Sequence, residues 1–126
     1  MRVVLDACVL YPTVLRQILI GVCAAGLARP AWSPRILEEW ARAAARLGPG
    51  HGIVARNEIA ALSGAWPGAR VDPDPATEAG LRLPDPADAH VLAAALAAGA
   101  RVILTANLRD FPRRALAPHG IAAQHP

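Results

Sequence analysis

LPDPADAHVLAAALAAGARVILTANLRDFP, residues 83–112, decides the fold. Asp85-Pro86 is a helix start: the acid caps free backbone N–H groups, and proline has its φ preset and no N–H to leave unpaired. His90 to Ala98 is almost all Ala, Leu and Val, and Gly99 is a fitting helix end. Arg101-Val102-Ile103-Leu104-Thr105 then reads as a strand, and residues 106–112 as the loop beyond it.

The same alternation extends in both directions. Upstream, Val3-Val4-Leu5 is a β-branched apolar run ending at Asp6, which predicts a buried strand. Val14, Leu15, Ile18, Leu19 and Val22 recur at helix spacing after Pro12-Thr13, and Gly26 ends that pattern. Ser33-Pro34 starts a helix that should run to about Leu47, where Gly48-Pro49-Gly50 stops it. A weaker helix is expected over 53–65, a turn at Trp66-Pro67-Gly68, a short strand at 69–71 and a loop over 72–75. Downstream come a short helix near 113–117 and a last strand near 121–123. Strands alternate with helices and no hairpin signal occurs, so the class is α/β, with a parallel sheet covered on both faces. No repeat or linker divides residues 1–126, which form one domain large enough to bury its own core.

Composition removes several chemistries. All 13 basic residues are Arg, which excludes a Walker lysine and a Schiff-base lysine. Apolar residues make up 54% and aromatics 4%, so a core of Ala, Val, Leu and Ile is expected. A net charge of +3 is compatible with a polyanionic partner without requiring one. Cys8 and Cys23 have neither zinc-site nor redox-motif spacing and read as reduced thiols of a cytoplasmic protein. The longest charge-free run, Gln17 to Ala28, is too short to span a bilayer, and Asp6, Pro12 and Arg16 interrupt any leader-like stretch. Asp6 is followed by Ala7 and Cys8 rather than a second acid, so an aspartyl-phosphate phosphatase does not fit. No nucleophile elbow surrounds Ser33 or Ser63, and no Gly-rich loop follows the first strand.

The acids are the remaining signal. Asp6 and Asn107 fall just past predicted strands, where open parallel sheets bind ligands, and Thr105 ends the second of these strands. Asp88, in the first turn of a helix, suits the macrodipole there but also lies over the apolar face carrying Val91 and Leu92. At about 100° per residue, Glu38 points away from the stripe of Leu37 and Trp40 and pairs with Arg42, whereas Glu39 borders the stripe. Asp110 sits in the loop after Thr105. Each has an ordinary role as a cap, turn or solvent-facing charge. Gathered at one sheet end, however, they would repel one another, and a hard divalent cation removes that cost. Oxygen ligands suit Mg²⁺ or Mn²⁺.

Residues 5–20 (LDACVLYPTVLRQILI), 32–40 (WSPRILEEW) and 83–112 resemble, in order, the segments of a PIN domain, and the tail LAPHGIAAQHP fits a bacterial branch related to VapC toxins. The resemblance implies a three-layer α/β/α sandwich with a central parallel sheet and a Mg²⁺- or Mn²⁺-dependent ribonuclease whose products carry a 5′-phosphate and a 3′-hydroxyl. It implies Asp6, Glu39 and Asp88 as catalytic acids and metal ligands, joined by Asn107 and by Asp110 as the missing carboxylate. Asp85 and Thr105 would support them. Arg109, Arg113 and Arg114 flank this site in sequence and could track an RNA backbone, whereas His90 is expected to pack or face solvent. An RNA substrate, a small antitoxin protein and a homodimer are the implied partners. The chain departs from the pattern at neutral Asn107, at Gln17 where this branch carries an acid, at Ala87 and Ala89, and in a short tail. Those departures support a competing reading, a PIN-like domain that cuts weakly or not at all and serves as an RNA- or protein-binding module.

Overall fold

The computed structural model describes residues 1–126. Strand β1 (Arg2–Leu5) buries Val3, Val4 and Leu5 in succession, as a strand covered on both faces must. Asp6 then caps a single helical turn, α1 (Ala7–Leu10), by accepting the Ala7 N–H at 2.8 Å. α2 (Thr13–Ala24) starts after Pro12 and leaves Val14 and Ile18 exposed. β2 (Arg29–Ala31) contains Pro30, tolerable because β2 is an edge strand.

α3 (Pro34–Ala45) begins where the sequence predicts: Ser33 Oγ accepts the Ile36 N–H at 3.2 Å. Ile36, Trp40, Ala41 and Ala44 form its buried stripe. α4 (Pro49–Ala65) starts four residues earlier than expected. Gly48 alone breaks the chain, at φ 135°, and Pro49 serves as a first helical residue rather than a stop. Gly52 lets α4 close on α3, since a Cβ there would stand 3.1 Å from the Ala45 Cβ. α5 (Pro75–Ala79) is capped by Asp74.

Asp85 caps a 3₁₀ turn over Pro86–Asp88, which leads into α6 (Ala89–Ala98); Gly99 ends the helix in the left-handed conformation. α6 packs across β1, β2 and β3. β3 (Val102–Leu104), α7 (Arg113–Leu116) and β4 (Ala122–Gln124) complete the chain.

The four strands pair in parallel in the order β2-β1-β3-β4, the middle of a three-layer α/β/α sandwich. From β1 the chain crosses first to β2 on one side and later to β3 on the other. The carboxyl ends of β1 and β3 therefore flank the point where the strand order reverses.

Sequence reading missed β2, α1 and α5, all too short to show a period. The expected strand at 69–71 is a lone bridge from Arg70 to Trp32. The core is also not purely aliphatic: Trp32 and Trp40 are among its largest fully buried side chains, beside Leu5, Leu10, Ile36 and Leu92. Arg16 is buried as well. It donates to the Leu10 and Tyr11 carbonyls, pairs with Glu58 and lies 4.5 Å from the centre of a Trp40 ring. Cys8 and Cys23 are free thiols, and no helix is long and apolar enough to cross a membrane.

Candidate active site

A cavity of about 300 Å³ is lined by Asp6, Ala7, Cys8, Glu39, Arg42, Arg46, Asp88 and Asn107. Three carboxylates from β1, α3 and the entry to α6 thus share one opening at the switch point of the sheet. A larger groove of about 560 Å³ between the start of α2 and helices α3 and α4 is lined by Tyr11, Trp40 and Val54 among others, with Glu58 as its only acid. Chemistry rather than volume distinguishes the site.

Asp6 is held from several sides. Its backbone N–H donates to the Leu104 carbonyl at 3.1 Å, locking the end of β1 to β3. Its Oδ1 accepts the Ala7 N–H, and its Oδ2 accepts the Thr105 hydroxyl at 2.9 Å. Thr105 Oγ1 accepts the Asn107 N–H at 3.1 Å, so one buried hydroxyl orients both the acid and the loop that follows β3. Cys8 Sγ completes this knot, 3.6 Å from Asp6 Oδ2 and 3.4 Å from Thr105 Oγ1, and it accepts the Ala106 N–H at 3.2 Å.

Glu39 and Asp88 are half-buried. Glu39 Oε1 lies 2.9 Å from Nε2 of His90, which is buried on α6 rather than solvent-facing. The approach is poorly aligned, and neither ring nitrogen of His90 has a well-directed hydrogen-bond partner. Asp110 does not line the cavity. Its charge still reaches Asp88. Asp85 stays at the surface as a cap, accepting the Ala87 N–H at 2.9 Å. Arg109, Arg113 and Arg114 are exposed and lie outside the cavity lining.

The carboxylates repel one another across the cavity, and Arg42 and Arg46 on its wall form no ion pair with any of them. Burial, then repulsion from Asp110, Asp85, Asp6 and Glu39, pushes the Asp88 carboxyl from its ordinary 3.8 up to about 6. Burial also raises Asp6, against the lowering effect of hydrogen bonds from Thr105, Ala7 and Cys8. The Cys8 thiol is raised by burial and by the Asp6 charge, so it stays protonated at neutral pH. No arginine forms an ion pair with Asp6, Glu39 or Asp88.

An all-oxygen donor set of three acids and an amide fits a hard divalent cation. As placed, no three His, Cys, Asp or Glu side chains converge closely enough to ligate one ion together. Mg²⁺ does not require such closure, because it keeps several waters and takes one or two carboxylates directly.

Cys8, His90, Arg42 and Arg46 were not singled out for this site in sequence. Arg42 and Arg46 had a legible signal, since residues three and seven beyond Glu39 fall on its helix face. Cys8 and His90 had none.

The comparisons follow the same lines. A family model described as PIN domain matches residues 2–109. A stretch of 39 residues is 56% identical to "Putative ribonuclease VapC50" of Mycobacterium tuberculosis, covering 31% of this chain and 23% of that protein. No solved structure matches.

Proposed function

The chain belongs to the PIN-domain family, and from that premise we propose that it is a Mg²⁺- or Mn²⁺-dependent endoribonuclease, the toxin of a toxin–antitoxin pair. The observation that carries the reading is the single cavity shared by Asp6, Glu39, Asp88 and Asn107 at the sheet's switch point. The partial likeness to a protein named as a ribonuclease of the VapC group supports the substrate class and the toxin role.

The reaction is hydrolysis of an RNA phosphodiester, in which water adds in line to phosphorus and the P–O3′ bond breaks. Asp6, Glu39 and Asp88 would hold the cation, directly or through water, with Asn107 beside them. A bound Mg²⁺ or Mn²⁺ would supply Lewis acidity toward a phosphoryl oxygen and toward water. Thr105 and the Ala7 N–H keep the Asp6 carboxylate in one rotamer, so little ordering remains when substrate arrives. Without a cation the Asp88 carboxyl titrates near 6 and is mostly ionised at pH 7, and a bound cation would hold it fully ionised. Asp110, outside the cavity lining, adds negative potential that reaches Asp88.

The test is cleavage of single-stranded RNA by purified protein with Mn²⁺ or Mg²⁺. D6N and D88N should each abolish cleavage, and EDTA should stop the wild type. If wild type and both variants cut equally, contamination is the explanation and the reading fails. The second reading, a binding module that does not cut, draws on the neutral Asn107 and on the acids' incomplete convergence. It predicts RNA or protein binding without metal-dependent cleavage.

A further inference from the structure

The carboxylate cavity has a second wall. Arg42 and Arg46 line it together with Asp6, Glu39 and Asp88. All of α3's contribution comes from one helix face: Glu39, then Arg42 three residues on, then Arg46 four beyond that. The two guanidinium groups leave the helix about 6 Å apart along its axis, at 1.5 Å rise per residue.

Neither arginine is fully engaged. Arg46 takes part in no ion pair and no side-chain hydrogen bond. Arg42 gives only its Nε, at 3.3 Å, to Glu38 Oε1. Glu38 is already gripped at both oxygens by Arg56, at 2.9 and 3.0 Å. Arg56 therefore satisfies Glu38, and that carboxylate tethers Arg42 by its Nε while both terminal amino groups stay free. A fork with its stem anchored and its tines open is well disposed to take two oxygens of one phosphate.

A nucleic acid entering a pocket of three carboxylates meets repulsion that one divalent ion offsets only in part. We infer that Arg42 and Arg46 form the phosphate-binding rail of this site, holding the RNA phosphates adjacent to the scissile one. The exposed Arg109, Arg113 and Arg114 lie outside the cavity lining. The inference rests on the ribonuclease reading, with single-stranded RNA as the ligand.

The experiment compares wild type, R42Q, R46Q, R42Q/R46Q and the tail variant R113Q/R114Q. Binding to a fluorescent single-stranded oligoribonucleotide is read by anisotropy in EDTA, where no cleavage occurs, and cleavage is read with Mn²⁺. Both α3 side chains are exposed, so thermal melts should be unchanged. Each α3 substitution should lower the slope of log K against log salt by about 0.7. The double variant should bind roughly tenfold more weakly at moderate salt and raise KM with kcat largely kept. R42K should recover part of the loss in the single variant, since it keeps the charge without the fork. If wild type cuts RNA while R42Q/R46Q retains its KM and salt slope, or if R113Q/R114Q shows the loss instead, the inference is overturned and the ribonuclease reading stands. If wild type neither binds nor cuts RNA, both fall.

Discussion

Replacing Asp88 by Asn should make the metal-free protein more stable while destroying its activity. In the folded chain the Asp88 carboxyl titrates near 6 rather than 3.8, because burial and the Asp110, Asp85, Asp6 and Glu39 charges disfavour its ionised form. A raised acid pKa means that the folded state binds more protons than the unfolded state between those two values. Stability therefore falls as pH rises from about 4 to 6, and the full cost is present at pH 7. At 1.36 kcal/mol per pH unit the cost is roughly 3 kcal/mol, and solvent reaching a half-buried carboxylate reduces it to about 1–1.5 kcal/mol. Against this, the charge favours the start of α6 through the helix dipole, worth about 0.3–1 kcal/mol. Asp88 makes no side-chain cap hydrogen bond, and Asp85 caps the preceding turn independently, so no hydrogen bond is lost. At the midpoints of those ranges the balance predicts a gain of about 0.6 kcal/mol at pH 7, or a Tm higher by about 2–4 °C for a chain of this size. Thermal melts of wild type and D88N in EDTA at pH 7 and pH 4 measure it. The difference should shrink to about a fifth at pH 4, where folded Asp88 is neutral and the unfolded carboxyl is only partly ionised. A variant that melts at or below wild type at pH 7, or one that keeps its full advantage at pH 4, refutes the electrostatic account of the cavity.

Three further outcomes follow from the packing around the site. Thr105→Val leaves Asp6 Oδ2 and the Asn107 N–H without their shared hydroxyl, which should cost about 1–3 kcal/mol in a denaturant titration and weaken Mn²⁺ binding by calorimetry. Arg16→Met keeps the aliphatic volume against Trp40 but strands the Leu10 and Tyr11 carbonyls and Glu58, a loss of about 2–4 kcal/mol that the same titration reads. Leu92→Ala, at a fully buried position on α6, should lower stability by about 2–5 kcal/mol. Because α6 packs across three strands, cleavage should fall only where the protein unfolds.

Sequence alone carries the parallel α/β class, because its signals are local. Caps at Ser33 and Asp85, the glycine at 99, and apolar runs ending at Asp6 and Thr105 report on the few residues around them, and a crossover helix between strands leaves little choice but a parallel sheet. It also narrows the acids to those beyond strand ends, at a helix entry, or, for Glu39, at the border of an apolar helix stripe. Which of them share a space depends on contacts between residues nearly a hundred positions apart, and only packing decides that. The register of β1 against β3 brings Thr105 to Asp6, and the seating of α3 brings Glu39, Arg42 and Arg46 to the same opening. Tertiary structure likewise left Asp110 acting at a distance, buried His90 against Glu39, and freed Arg42 by giving Glu38 to Arg56. None of these follows from periodicity, because a side chain's charge environment is set by its neighbours in space, and the chain encodes those neighbours only through the whole fold.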